Sequence, residues 1–212
     1  MFDESHLERV LLGIGVTHTG ELYHDLQTTY GGTNRHYHNQ QHIDDCLTHF
    51  QPVRMLAQHP DEVEIALWFH DAIYDSRKSD NEEQSADWAR RFLQSQGTAG
   101  DIIDRIGGLI LATKTHSGMS SIDQQLMIDV DLRILGEVPE VFETYDRGIR
   151  AEYDWVPLDE YLRGRAAVLK TFLDRQTIFQ TVLFQTRYEQ SARENLRRKI
   201  AELLATMRNP HS

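Results

Sequence analysis

The residues of this chain best suited to chemistry are His38 and His42, a His70-Asp71 pair and a distant Asp131. Imidazole and carboxylate are the donors that divalent metal ions accept, and the same groups serve as general acids and bases. Their spacing gives the first clue to their use. Read at helical period, His38, His42, Cys46, His49 and Phe50 share one face. Val63, Ala66, Leu67, His70 and Tyr74 form a second stripe, with Asp71 one position round it beside Trp68. A third runs Ile102, Ile106, Leu109, Ile110, Thr113, His116, and a fourth Ile128, Asp131, Leu132, Leu135, with Asp129 on its edge. Apolar residues at such spacing mark the faces that helices turn inward, and a polar group buried there without a partner costs several kcal/mol. One histidine on an apolar face is ordinarily a hydrogen-bonded core residue. Four helices that each turn an imidazole or a carboxylate to the same interior call for a cation, and bundle interiors are where such sites are built. The expectation is a divalent ion among His38, His42, His70, Asp71 and Asp131. His116 and Asp129 are left open, either as groups that orient a ligand or as ligands of a second ion. Zinc, iron, manganese, nickel, cobalt and magnesium all remain open, because these ligand types suit several ions.

The elements that must position these groups read as helices throughout. The periodicity predicts helices over 3–16, 19–29, 36–50, 61–74, 81–96, 101–115, 121–135, 138–154, 158–185 and 188–207, with start signals at Pro60-Asp61-Glu62, at Asp101 with Asp104, and at Ser120-Ser121 with Asp123. Glycines fall at the breaks (Gly31-Gly32, Gly97 to Gly100, Gly136), and alternating β-branched runs are almost absent. The fold class expected is all-α, a compact multi-helix bundle. It is read as one domain over 1–212, with a metal-site core over 36–135 and the helices of 138–207 packed on it.

Composition narrows the partners. With 22 Lys+Arg against 33 Asp+Glu the formal net charge is −11, which disfavours binding to phosphate backbones. No apolar run reaches the length of a membrane span, the N-terminus is acidic where a signal peptide would be basic, and the single cysteine, Cys46, allows no intrachain disulfide. The expectation is a cytoplasmic protein with no nucleic-acid or membrane partner. The C-terminal charges read as a solvated helix face. The stripe Ile178, Val182, Phe184 has two readings, packing on the bundle or on a second copy of the chain as a homodimer.

The ordered set His42, His70-Asp71, Asp131 resembles the HD superfamily of metal-dependent phosphohydrolases, whose signature is a His, a His-Asp pair and a distant Asp on an all-helical domain. The segment Tyr37-His38-Asn39-Gln40-Gln41-His42 is also similar to the Tyr-His-Asn-x-x-His segment of the cyclic-nucleotide phosphodiesterases, a branch of that superfamily. Phe69 to Asp75, Asn81-Glu82, Ala112 to His116 and Asp129 to Leu132 look like a small bacterial group of HD phosphohydrolases with no assigned substrate, a likeness that reaches about Arg165. The resemblance implies hydrolysis of a phosphate ester of a small phosphorylated substrate, a nucleotide being the leading case, by metal-activated water. In the phosphodiesterase branch the first His is the proton donor and the second a metal ligand, which would make His38 the acid and His42 the ligand. His38 has an alternative role, hydrogen bonding to a neighbouring carboxylate. Asp71 would act as a catalytic ligand. Lys114 and Arg165 are the cations that could meet phosphate oxygens, with an ion pair to Glu152 as the other reading of Arg165. Asn81 and Glu83 read as helix capping. The chain departs from the phosphodiesterases in having Tyr74-Asp75 where they place a further His. Only His116 stands between the His-Asp pair and Asp131, where di-metal members use extra histidines. Two other readings keep the fold and change the activity: a non-catalytic domain that binds metal and nucleotide, and a di-iron oxygenase.

Overall fold

The computed structural model describes residues 1–116 and 120–208. The described residues are helical with no strand, an all-α architecture, and the chain forms two compact units, Met1–Asp131 and Leu132–Ser212. The first holds α1 (Glu4–Gly13), α2 (Leu22–Tyr30), α3 (Gln40–Phe50), a 3-10 helix (Gln51–Leu56), α4 (Pro60–Phe69), α5 (Asn81–Ser95) and α6 (Gly100–Ala112), and α7 (Ile122–Leu132) ends one residue past it. The second holds a 3-10 helix (Arg133–Gly136), α8 (Pro139–Glu152), α9 (Leu158–Leu173) and α10 (Val182–Arg208).

In the first unit α4 is the axis, in contact with α1, α3, α5 and α6. Every residue from Glu62 to Phe69 is buried, as expected of a helix whose apolar residues run all round it. Two glutamates lie in this buried stretch, and each has cationic partners. Glu62 accepts from Arg105 Nε and Nη2, both at 2.7 Å. Glu64, fully buried, accepts from Gln51 at 2.8 Å and Arg54 Nε at 3.1 Å, and pairs with His6 and Arg9. Asp123, in the first turn of α7, accepts from the backbone N–H of Gln58 (2.6 Å) and His59 (3.1 Å) and lies 2.9 Å from His59 Nδ1. That tie fixes the start of α7 against the start of α4, two turns before Asp131.

In the second unit α10 lies along α9 and the 3-10 helix. Asn195 donates to the carbonyls of Leu135 (3.0 Å) and Glu137 (2.8 Å). A Cβ on Gly136 would come within 2.8 Å of the Tyr188 carbonyl oxygen, so only glycine permits this approach of backbone to backbone. Of the stripe Ile178, Val182, Phe184, the first and last are buried and Val182 is exposed. Among the described residues no helix is long and apolar enough to cross a membrane.

Three helix bounds differ from the sequence expectation in ways that matter. The helix expected over 36–50 starts at Gln40, because Asn39 caps it by accepting from the N–H of Gln41 (2.9 Å) and His42 (3.3 Å). His38 therefore precedes the helix rather than lying a turn down its face. The helix expected over 61–74 ends at Phe69, with His70 still in helical backbone geometry and its N–H donating to the Ala66 carbonyl. The break expected at 186–187, between helices over 158–185 and 188–207, lies instead at 174–181, between α9 and α10. The carbonyls of Leu173, Arg175 and Gln176 are taken by the Arg193 guanidinium, and the N–H groups of Ile178 and Phe179 by Glu189. Side chains from far along the chain hold that break.

Candidate metal centre

His42 sits in the first turn of α3, His70 and Asp71 directly follow α4, and Asp131 lies near the end of α7. The structure brings all four together. His42 Nε2 is 3.2 Å from His70 Nε2, 3.4 Å from Asp71 Oδ2 and 3.4 Å from Asp131 Oδ1. His70 Nε2 is 3.1 Å from Asp71 Oδ2 and 3.7 Å from Asp131 Oδ1. Ligands about 2.0–2.2 Å from one ion lie roughly 3–3.5 Å apart, whether the geometry is tetrahedral or octahedral, and these separations fall around that range. His70 and Asp71 lie in the turn that closes α4, and from there both side chains reach the cluster.

The orientation of each donor has a cause. His70 Nδ1 lies 2.9 Å from the Leu67 carbonyl oxygen, which can only accept, so Nδ1 carries the proton and Nε2 faces the cluster. Asp131 divides its two oxygens: Oδ1 faces His42 and His70, and Oδ2 is 3.0 Å from His116 Nε2. His116 thus stands behind Asp131, just past α6, with a left-handed backbone (φ 48°) that is unusual outside glycine and swings the ring towards the carboxylate. Asp129 is fully buried, two residues and about 200° round α7 from Asp131; it is Asp131 whose carboxylate joins the cluster.

The charges balance in a telling way. Burial opposes charge on all four groups, yet their neighbours outweigh it: Cys46 and Tyr37, then Asp131 and Asp71, around His42; the two aspartates around His70; and the facing imidazoles around both aspartates. The His42 and His70 rings are raised well above the usual histidine range, and the Asp71 and Asp131 carboxyls are held well below theirs. Two carboxylates can be neutralised by two ring protons or by one divalent cation between neutral rings. The donor set fits such an ion.

Sequence reasoning missed two contributors. Cys46, one turn after His42 on α3, is buried, and its sulfur joins the ligand atoms of His42, His70 and Asp131 in a group lying within 4.8 Å of one another. The signal was its i+4 spacing from His42 on the same face. Arg35 is the second. Its Nη1 donates to the carbonyls of His38 (2.8 Å) and Asp71 (2.7 Å), and its Nη2 to that of Ala72 (2.8 Å), while its guanidinium lies 5.1 Å from the Tyr30 ring centre and 5.7 Å from that of Tyr74. One side chain therefore clamps the segment before α3 to the turn after α4. No local pattern announces this.

The remaining expected residues are placed as follows. The His38 ring stacks on Tyr74 (4.1 Å between centres, 27° between planes) and its centre lies 5.9 Å from that of His42. Lys114 donates to the Ser79 carbonyl at 2.7 Å and pairs with Glu83 at the surface; neither partner belongs to the cluster. Asn81 accepts from the Asp75 N–H and donates to its carbonyl, which closes the loop before α5. Arg165, in the second unit, is buried with Nε 2.9 Å from Asp146 Oδ1, a partner the sequence argument did not name.

No family model, curated protein or solved structure matches the chain.

Proposed function

We propose that the chain is a metal-dependent phosphohydrolase of the HD type that cleaves a phosphate ester of a small phosphorylated metabolite, with nucleotides as the first class to test. The observation that carries this reading is the set of donor–donor separations of 3.1–3.7 Å among His42, His70, Asp71 and Asp131. These four residues would hold the ion. When bound, a divalent ion supplies Lewis acidity, polarising a phosphate oxygen and making water a better nucleophile near neutral pH. His116 keeps Asp131 aimed by occupying its outer oxygen, and Arg35 keeps the Asp71 turn and the His38 segment in register. His38, held flat against Tyr74, would give a proton to the leaving oxygen. Lys114 would have to exchange Glu83 for the substrate to act on phosphate. The likeness of Tyr37 to His42 to the phosphodiesterase segment supports the same division of labour between His38 and His42.

The test is phosphate release from metal-loaded protein across a panel of nucleotides and phosphate esters, with Mn, Fe, Co, Ni, Zn and Mg supplied in turn. The expected result is turnover of at least one class, with kcat lowered about 10²–10⁴-fold in His38→Ala at unchanged metal content. A protein that holds metal and binds nucleotide yet releases no phosphate would instead be a binding domain, and the hydrolase reading would fall.

A further inference from the structure

His38 lies in the turn that leads into α3, outside any helix, and both it and Tyr74 are half-buried. An imidazole on such a segment has about six rotamers, three at χ1 and two at χ2. Two neighbours narrow that choice. The Tyr74 ring covers one face of the imidazole, with 4.1 Å between centres and 27° between planes. The Tyr37 ring meets it edge-on, with 5.0 Å between centres and 79° between planes. The backbone of His38 is held as well, since Arg35 Nη1 donates to its carbonyl at 2.8 Å and to that of Asp71 at 2.7 Å. Tyr74 stands three residues beyond Asp71, with its ring centre 5.7 Å from the same guanidinium. The segment after α4 thus carries two of the candidate ligands, His70 and Asp71, and also the aromatic face against which His38 rests. The His38 ring centre is 5.9 Å from that of His42.

We propose that Tyr74 is a positioning residue, whose ring holds the His38 imidazole in one orientation so that its proton reaches the leaving oxygen of a bound phosphate ester. The inference rests on the reading of the chain as a phosphohydrolase with His38 as its acid, and adds the residue that sets the acid's direction. The proton passes from a ring nitrogen to the leaving oxygen as the bond of that oxygen to phosphorus breaks, and the ring takes a proton back from solvent. A flat aromatic surface suits this task, because stacking fixes the plane of the imidazole and leaves the nitrogens at its edge to other partners. A preset orientation raises the fraction of bound substrate that faces a proton donor, and so acts on kcat rather than on binding. With one of about six rotamers competent, the whole effect is about fivefold.

Steady-state kinetics of the metal-loaded full chain tests this with two phosphate esters, one with an alkyl leaving group and one with para-nitrophenol, which departs readily as its anion. On the alkyl ester Tyr74→Leu is expected to lower kcat about fivefold at unchanged KM and metal content, and Tyr74→Phe to stay within about twofold of wild type. In a His38→Ala background Tyr74→Leu should have no further effect. On the nitrophenyl ester the loss should vanish, because that leaving group needs no acid. A Tyr74→Leu that keeps full kcat on the alkyl ester, or costs the same with His38 absent, overturns the role of Tyr74 and leaves the hydrolase standing. A His38→Ala with undiminished kcat overturns the acid and this role together, and a wild type without turnover overturns the hydrolase reading as well. Tyr74→Met serves as a second variant without an aromatic face where Tyr74→Leu disturbs metal content. The stack itself is read without activity from the proton on His38 Cε1, whose ring-current displacement should be present in wild type and Tyr74→Phe and lost in Tyr74→Leu; a wild-type proton without it overturns the proposal.

Discussion

The two ends of α4 face the same difficulty, a carboxylate out of water, and resolve it with different bases. Near the N-terminal end Glu62 and Glu64 meet guanidinium groups: Arg105 for the first, Arg54 and Arg9 beside His6 for the second. Just past the C-terminal end Asp71, with Asp131 from α7, meets the imidazoles of His42 and His70. A guanidinium stays protonated throughout the range in which proteins fold and has no lone pair to offer. An imidazole can give up its proton and present a nitrogen to an ion. One end of the helix is thereby closed as scaffold, and the other can exchange protons for metal. Buried charge by itself does not mark a functional site: Glu64 also meets an imidazole, His6, but shares it with guanidinium groups, whereas Asp71 and Asp131 meet imidazoles.

Substitutions at the two ends should separate these roles. The largest effect is expected for His70→Ala, which should weaken metal binding more than a hundredfold, measured as metal content after dialysis and by calorimetric titration. Because metal stabilises only the folded form, the variant should also lose any rise in Tm on adding the ion. Retained metal would remove the distinction between the ends. Next comes Glu64→Gln, which leaves guanidinium groups without their carboxylate and should cost about 2–4 kcal/mol at neutral pH while metal content stays the same. Its pH dependence has a definite sign. Burial alone would raise the Glu64 carboxyl, but His6, Arg54 and Arg9 hold it below the usual carboxylate range. The folded state then binds this proton less readily than the unfolded chain. The stabilisation is present above the unfolded pKa of about 4.3 and is lost as pH falls through the lower folded value. Acid unfolding followed by circular dichroism should be shallower in Glu64→Gln. An unchanged acid limb would show that the carboxylate is not held by its cations. The smallest effect should come from Arg35→Lys, which keeps the charge but cannot bridge three carbonyls. It should weaken metal affinity by about tenfold with near-native circular dichroism, since the turn that aims Asp71 loses its clamp.

How much of this was legible depended on how local the cause was. The all-helical class followed from apolar periodicity. The same periodicity turned His42, His70 and Asp131 inward, and the resemblance to the HD pattern singled out His42 rather than His38; burial does not separate Asp131 from Asp129, which is the more deeply buried of the two. The bounds that matter most were set by particular contacts. Asn39 shows its capping type in the sequence, yet a periodic reading ran through it to residue 36. The end of α4 at Phe69 carries no glycine or proline to announce it. The break between α9 and α10 depends on Arg193 and Glu189, which act from well down the chain and leave no mark near residue 174. Arg35 is invisible for a similar reason, because its three acceptors are backbone carbonyls, which every residue possesses. Cys46 differs: its phase was plain, and the reading took it only as part of the stripe.

The placement of Asp131 also bears on the order in which the protein is made. Every donor of the cluster lies within the first compact unit, and Asp131 is its final residue. In the growing chain the complete coordinating set is therefore synthesised before any of the second unit. An ion taken up by that set would hold three separate segments together.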